Sequence, residues 1–110
     1  MKLLYLENAM IPPSKITEYL LNLEHEDGKS KAVFFLMIGF SLEKWQLLRD
    51  VLLKHAQYDV VNTLQTTRGV HYVIEGIIET PIGKYPNIRT VWILEHESTL
   101  PRLITAYPLK

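Results

Sequence analysis

No cysteine occurs among the 110 residues, which excludes disulfides and thiolate metal sites and is compatible with a reducing, cytoplasmic setting. Net charge is missing as well. Twelve Lys and Arg balance 12 Asp and Glu, so no overall field draws the chain to nucleic acid, an anionic membrane or an acidic substrate. A polyanion would have to be met by a local patch. No apolar run approaches a membrane span, and Glu7 interrupts Met1 to Leu6 before a secretory apolar region can form, so we expect neither membrane insertion nor export. The sequence also lacks a Gly-rich phosphate loop, a nucleophile elbow and a paired-histidine zinc helix, and it implies no cofactor.

What is present suffices for one core. At 47% hydrophobic content, and without a Ser/Gly linker, residues 1–110 read as a single domain. Behind Pro12-Pro13, the positions Ile16, Tyr19, Leu20 and Leu23 recur at helical spacing and predict a first helix ending near Asn22. The segment from Gly28 to Ile38 is apolar on all sides after Ala32. It predicts a central, buried second helix with Asp27 as N-cap and Gly39 as terminator, although a buried strand has the same pattern. Ser41 reads as the cap of a third helix, with Phe40 and Trp45 spaced as a hydrophobic staple that puts the indole inside. Lys54 and His55 fall near its end, where positive charge suits the helix dipole.

After His55 the pattern alternates. Strands are expected from Tyr58 to Thr66, Val70 to Ile78, Ile88 to Glu95 and Arg102 to Tyr107, with Gly76 as a candidate bulge. Short connections favour an antiparallel meander. The expected fold is therefore α+β, with about three N-terminal helices packed on one face of a three- to four-stranded antiparallel sheet.

The richest chemistry lies in His25-Glu26-Asp27-Gly28-Lys29-Ser30-Lys31. Histidine titrates near neutrality and suits general acid or base work, while Lys29 and Lys31 stand where the amides of a helix start already favour an anion. The plain alternative is a solvated loop with Asp27 as a simple cap. Glu24, Glu26 and Asp27 add negative charge beside His25, but their spacing matches no metal-ligand pattern, and no metal is expected. On the strands, Thr105 and Tyr107 share a face, and Arg102 projects from the other, where it meets Arg89 only if register allows. Ordinary sheet packing would explain each of these four.

The segments Tyr19-Leu20-Leu21-Asn22, His25, Gly28, Lys31-Ala32 and Gly39-Phe40 with Trp45 and Leu48 resemble a family of small bacterial domains of unknown function. Arg89-Thr90-Val91-Trp92-Ile93 and Pro101 to Pro108 match the same family. In architecture the chain is also similar to bacterial toxin ribonucleases of the barnase, EndoU and colicin type. That likeness implies cleavage of RNA by 2'-hydroxyl attack without metal, under control of an inhibitory protein partner. It implies His25 as acid or base, Lys31 as the cation that stabilises charge on the phosphorane, and Thr105 as a contact to a phosphate oxygen. Lys29, Arg89, Arg102 and Tyr107 would then bind substrate. The alternative is a protein-interaction module, an antitoxin or immunity partner, and the two readings separate simply: an enzyme holds His25, Lys31 and Thr105 in one cleft, whereas a module can scatter them.

Overall fold

A computed structural model describes residues 1–109. A helical segment, α1 (13–20), is followed by α2 (Lys29–Met37) and α3 (Trp45–His55). Four strands then complete the chain: β1 (Val60–Gln65), β2 (Gly69–Ile77), β3 (Asn87–Glu95) and β4 (Arg102–Pro108). They form one sheet in the order β1-β2-β3-β4, antiparallel throughout, so the expected helices-then-meander arrangement is what the chain adopts. Tyr72, Ile74, Ile88, Trp92, Leu103 and Ala106 project from one side of the sheet into a core completed by Ile16, Leu20, Phe35, Leu48 and Leu52 from the helices. The opposite side carries Val73, Glu75, Arg89 and Val91, which are half-buried, and Ile93, which is buried.

Each helix departs from expectation for a local reason. α1 starts with one α turn at Pro13–Lys15 and widens into a π turn over Ile16–Leu20, closed by Leu21 N–H on Ile16 O at 2.9 Å. The wider turn advances the buried face by one residue, so Leu21 is buried and Leu23 exposed. α2 is helical, as expected, and ends at Gly39 with φ 102°. It is not buried all round, however: Val33 is 41% and Met37 75% exposed, because α2 lies against α1 and the β4 margin and turns only Ala32 and Phe35 fully inward. α3 begins at Trp45 rather than beside Ser41, whose hydroxyl instead accepts the Lys44 amide in a turn. Trp45 is consequently the first helical residue and is half-buried, with the Arg49 guanidinium 5.2 Å from its ring centroid.

The sheet also carries its irregularities elsewhere than expected. Gly76 pairs regularly with Ile88 and is no bulge; a Cβ there would come within 2.5 Å of the Tyr58 ring, which lies on it. Register shifts occur at Val61 in β1 and at Ile104 in β4. The second matters most for function. The extra residue inverts the alternation, so Arg102, opposite Ile93, shares a face with Thr105 and Tyr107 rather than projecting from the other side.

His55 differs most from its expected role. It is not a solvated cation at a helix end but is 1% exposed, at the junction of α3, β2 and β3. Its Nε2 faces the Gly76 and Ile88 carbonyls, both at 3.2 Å, and must therefore carry the proton. Nδ1 then accepts from the Thr90 hydroxyl at 3.0 Å, and Thr90 Oγ1 accepts from Trp92 Nε1–H at 2.9 Å. Every polar atom in this chain is paired and its direction is fixed.

Burial holds the His55 pKa below its ordinary 6.5. The unfolded chain takes up a proton that the folded chain refuses. The stability contributed by neutral His55 is thus complete above pH 6.5 and is lost as pH falls from there toward the lowered folded value. That loss should run at about 1.4 kcal/mol per pH unit. His55→Phe should cost about 1–3 kcal/mol at pH 8, since Thr90 loses its acceptor, and should remove this pH component. Denaturant titrations of parent and variant check it: their stability difference must shrink below pH 6.5, and parallel profiles would refute a buried neutral histidine.

Candidate functional site

Tyr19 is the point on which the chemistry-bearing side chains of the helical half converge. The π turn of α1 presents it toward the margin of β4, where its hydroxyl makes a 2.9 Å hydrogen bond with that of Thr105. His25 meets the Tyr19 ring edge-on with centroids 4.9 Å apart. The ammonium of Lys31 lies 5.6 Å from the ring centroid and that of Lys15 5.0 Å. Gly28 permits the approach: a Cβ at that position would stand 2.6 Å from the Tyr19 carbonyl oxygen and 2.8 Å from the ring. The backbone that opens α2 therefore lies directly against Tyr19.

The local fold fixes the histidine. Its Nδ1 accepts the amides of Asp27 and Gly28, both at 3.0 Å, so the imidazole, and not the Asp27 side chain, satisfies the donors ahead of α2. Nδ1 is thus unprotonated and the proton sits on Nε2. In this geometry Nε2–H is a hydrogen-bond donor; accepting or delivering a proton requires the ring to leave the two amides. Lys31 Nζ–H donates to the Asp27 carbonyl at 3.2 Å, which holds its ammonium near the same turn.

His25, Lys31 and Thr105 thus each contact Tyr19, although of the three only His25 lines the hollow beside it, and the other candidates lie apart. Lys29 is exposed in the first turn of α2. Arg89 is bound to Glu75 through Nε at 2.8 Å and to the Tyr107 hydroxyl at 3.2 Å, and these partners push its pKa further above the ordinary range. Arg102 is bound to Glu95 through Nε at 3.2 Å and Nη2 at 3.0 Å. Both arginines occupy the uncovered face of the sheet as half of an ion pair. Among the described residues, no group of three His, Asp or Glu side chains is gathered closely enough to hold a metal ion.

Two residues of the cluster, Tyr19 and Lys15, were not singled out by the sequence. Tyr19 read as a core position, and the one available signal was the Lys15 to Tyr19 spacing of four, which puts the two on one helix face. A shallow hollow of about 430 Å³ opens here, lined by Ser14, Lys15, Glu18, Tyr19 and His25. A more enclosed hollow of about 350 Å³ lies at the end of α3, between Val51, Tyr58, Ile77 and Tyr85. That hollow also carries Gln57 and the hydroxyls of Tyr58 and Tyr85, but its His55 has both nitrogens engaged in the core and its Lys54 faces Glu79 at 3.6 Å, whereas the Tyr19 hollow holds a lysine and a histidine N–H without such partners and is the better candidate for chemistry.

Residues 2–110 match a family described as "Domain of unknown function (DUF6883)", and the chain belongs to that family. No curated protein matches the sequence. A solved structure described as a contact-dependent growth inhibition toxin and immunity protein complex from Klebsiella pneumoniae 342 contains a chain of similar fold, with a TM-score of 0.72 and 15% identity. The match covers 96% of this chain and 97% of that one, and at this identity it establishes the fold alone.

If the imidazole is the acceptor for the amides before α2, His25→Ala should cost about 1 kcal/mol, the net worth of a typical hydrogen bond. His25→Asn should recover part of it, because the carbonyl of asparagine can accept the amide two residues on. Chemical denaturation separates the variants, and equal stability of all three proteins would show that the amides do not need the ring.

Proposed function

We propose that this domain is a toxin-like, metal-independent ribonuclease that acts on RNA in the cytoplasm and is restrained by an inhibitory protein partner. One observation carries the reading: His25, Lys31 and Thr105, each singled out by residue type and by resemblance, converge on the Tyr19 ring and hydroxyl. The fold shared with a chain of a toxin and immunity protein complex fits this reading and the interaction-module reading equally.

In this reading the 2'-oxygen of a ribose attacks the adjacent phosphorus, its proton passes to a base, and the 5'-oxygen leaves with a proton. The products are a 2',3'-cyclic phosphate and a free 5'-hydroxyl. Thr105 contacts a phosphate oxygen, and the Lys31 ammonium faces the charge that grows on the phosphorane, where a fixed cation is worth more than in the ground state. His25 first donates Nε2–H to the phosphate. Its service as acid or base follows release of Nδ1 from the Asp27 and Gly28 amides, which makes the turn before α2 a moving part of the reaction. Arg89, Arg102, Tyr107 and Lys29 contribute to backbone binding only as substrate phosphates compete with Glu75 and Glu95 for the arginines.

A specific observation favours the second reading, an antitoxin- or immunity-like interaction module. Both arginines of the open sheet face are already paired, and edge strand β1 is uncharged and exposes Val61 and Leu64, which suits a protein surface better than a polyanion.

Incubation of the purified protein with single-stranded and transfer RNA in EDTA tests the choice. The ribonuclease reading expects fragments with 2',3'-cyclic ends. It also expects a loss of about 10²- to 10⁴-fold in His25→Asn, whose cap is retained in part. An RNA panel left intact after any copurified protein has been removed would overturn it in favour of the interaction module.

A further inference from the structure

We infer that the surroundings of the Tyr19 ring form a phosphate seat: Lys15 and His25 line the hollow with Tyr19, and Lys31 and Thr105 reach Tyr19 from α2 and β4. Several protons around the ring have no acceptor. The hydroxyls of Tyr19 and Thr105 share one hydrogen bond, so one of their two protons remains to be donated. His25 spends its lone pair on two amides and leaves Nε2–H to donate. Lys31 uses one of its three protons on the Asp27 carbonyl. Among the described residues, neither Lys15 nor Lys31 has a carboxylate within salt-bridge distance.

Side chains from α1, the turn before α2, α2 itself and β4 thus place mostly donors around one ring. A neutral sugar or an amide would leave some of these protons unmatched. A tetrahedral oxyanion accepts from every side and matches them all. The cations hold to the ring within 6 Å, a range in which the face of a tyrosine itself attracts positive charge, so both ammoniums are kept near the hollow before any anion arrives. Glu18 is the one carboxylate lining the hollow and works against an anion. Its removal should therefore strengthen binding.

That the phosphate is a phosphodiester of RNA rests on the ribonuclease reading; the seat itself requires no cleavage. The test is an NMR titration of isotope-labelled protein with inorganic phosphate and, separately, with a short oligodeoxynucleotide, which lacks the 2'-hydroxyl and cannot be cut. Sodium chloride at matched ionic strength is the control. The Tyr19 ring, the Thr105 methyl and the His25 ring should shift saturably with the oligonucleotide at lower concentration than with phosphate, and not with chloride. Lys15→Ala should weaken binding about tenfold, as loss of one charge-assisted hydrogen bond implies. Glu18→Gln should tighten it. Absence of saturable shifts with both ligands, or unchanged affinity in Lys15→Ala, overturns the seat. Binding of inorganic phosphate without the oligonucleotide keeps the seat and overturns its assignment to a nucleic-acid backbone. Binding of both, with RNA left intact by the parent, keeps the seat and overturns the ribonuclease reading.

Discussion

The His55 ring is the constraint on which the remaining structure depends. It is the one place where the last turn of α3 is tied by directed bonds to two strands at once, through the carbonyls of Gly76 and Ile88 and the hydroxyl of Thr90. Apolar packing of Leu48 and Leu52 sets α3 on the sheet but is non-directional and less sensitive than directed bonds to small shifts along it. A histidine with a fixed tautomer is not indifferent, because any slip leaves a buried donor or acceptor without a partner. Trp92 extends the same chain of bonds through Thr90 and pins the centre of β3, the strand whose two neighbours are β2 and β4.

From β3 the constraint passes to the candidate site. β3 sets the register of β4, and the bulge at Ile104 sets where Thr105 stands along the sheet margin. On the other side, the π turn of α1 and the absence of a side chain at Gly28 bring Tyr19 and the start of α2 into contact. The site is thus assembled from two halves of the chain that meet through one hydroxyl pair, Tyr19 with Thr105, separated by 86 positions in sequence. The helices bring most of the donors, and the sheet supplies a rigid stop.

What was legible in the sequence was periodic. The change from helical to alternating spacing after His55 is a local property of the chain, and it located three helices and four strands. Features that depend on one extra residue or on a distant partner were not legible. The π turn that exposes Leu23 and the bulge that turns Arg102 to the face of Thr105 each add a residue without changing composition. His55 looked like a charge at a helix end because its partners lie on strands reached only after the chain has folded. For the same reason His25, Lys31 and Thr105 were recognisable by type and resemblance, while Tyr19, which joins them, read as part of an apolar face. Lys15 carried no signal beyond its spacing of four from Tyr19.

The central claim is that the residues around Tyr19 act as one unit on one phosphate. A double-mutant cycle on RNA cleavage with Lys31→Ala and Thr105→Val tests it most directly. If both side chains engage the same phosphate, kcat/KM in the double variant should fall by clearly less than the product of the two single losses. Losses that multiply independently, or single variants as active as the parent, would contradict the account.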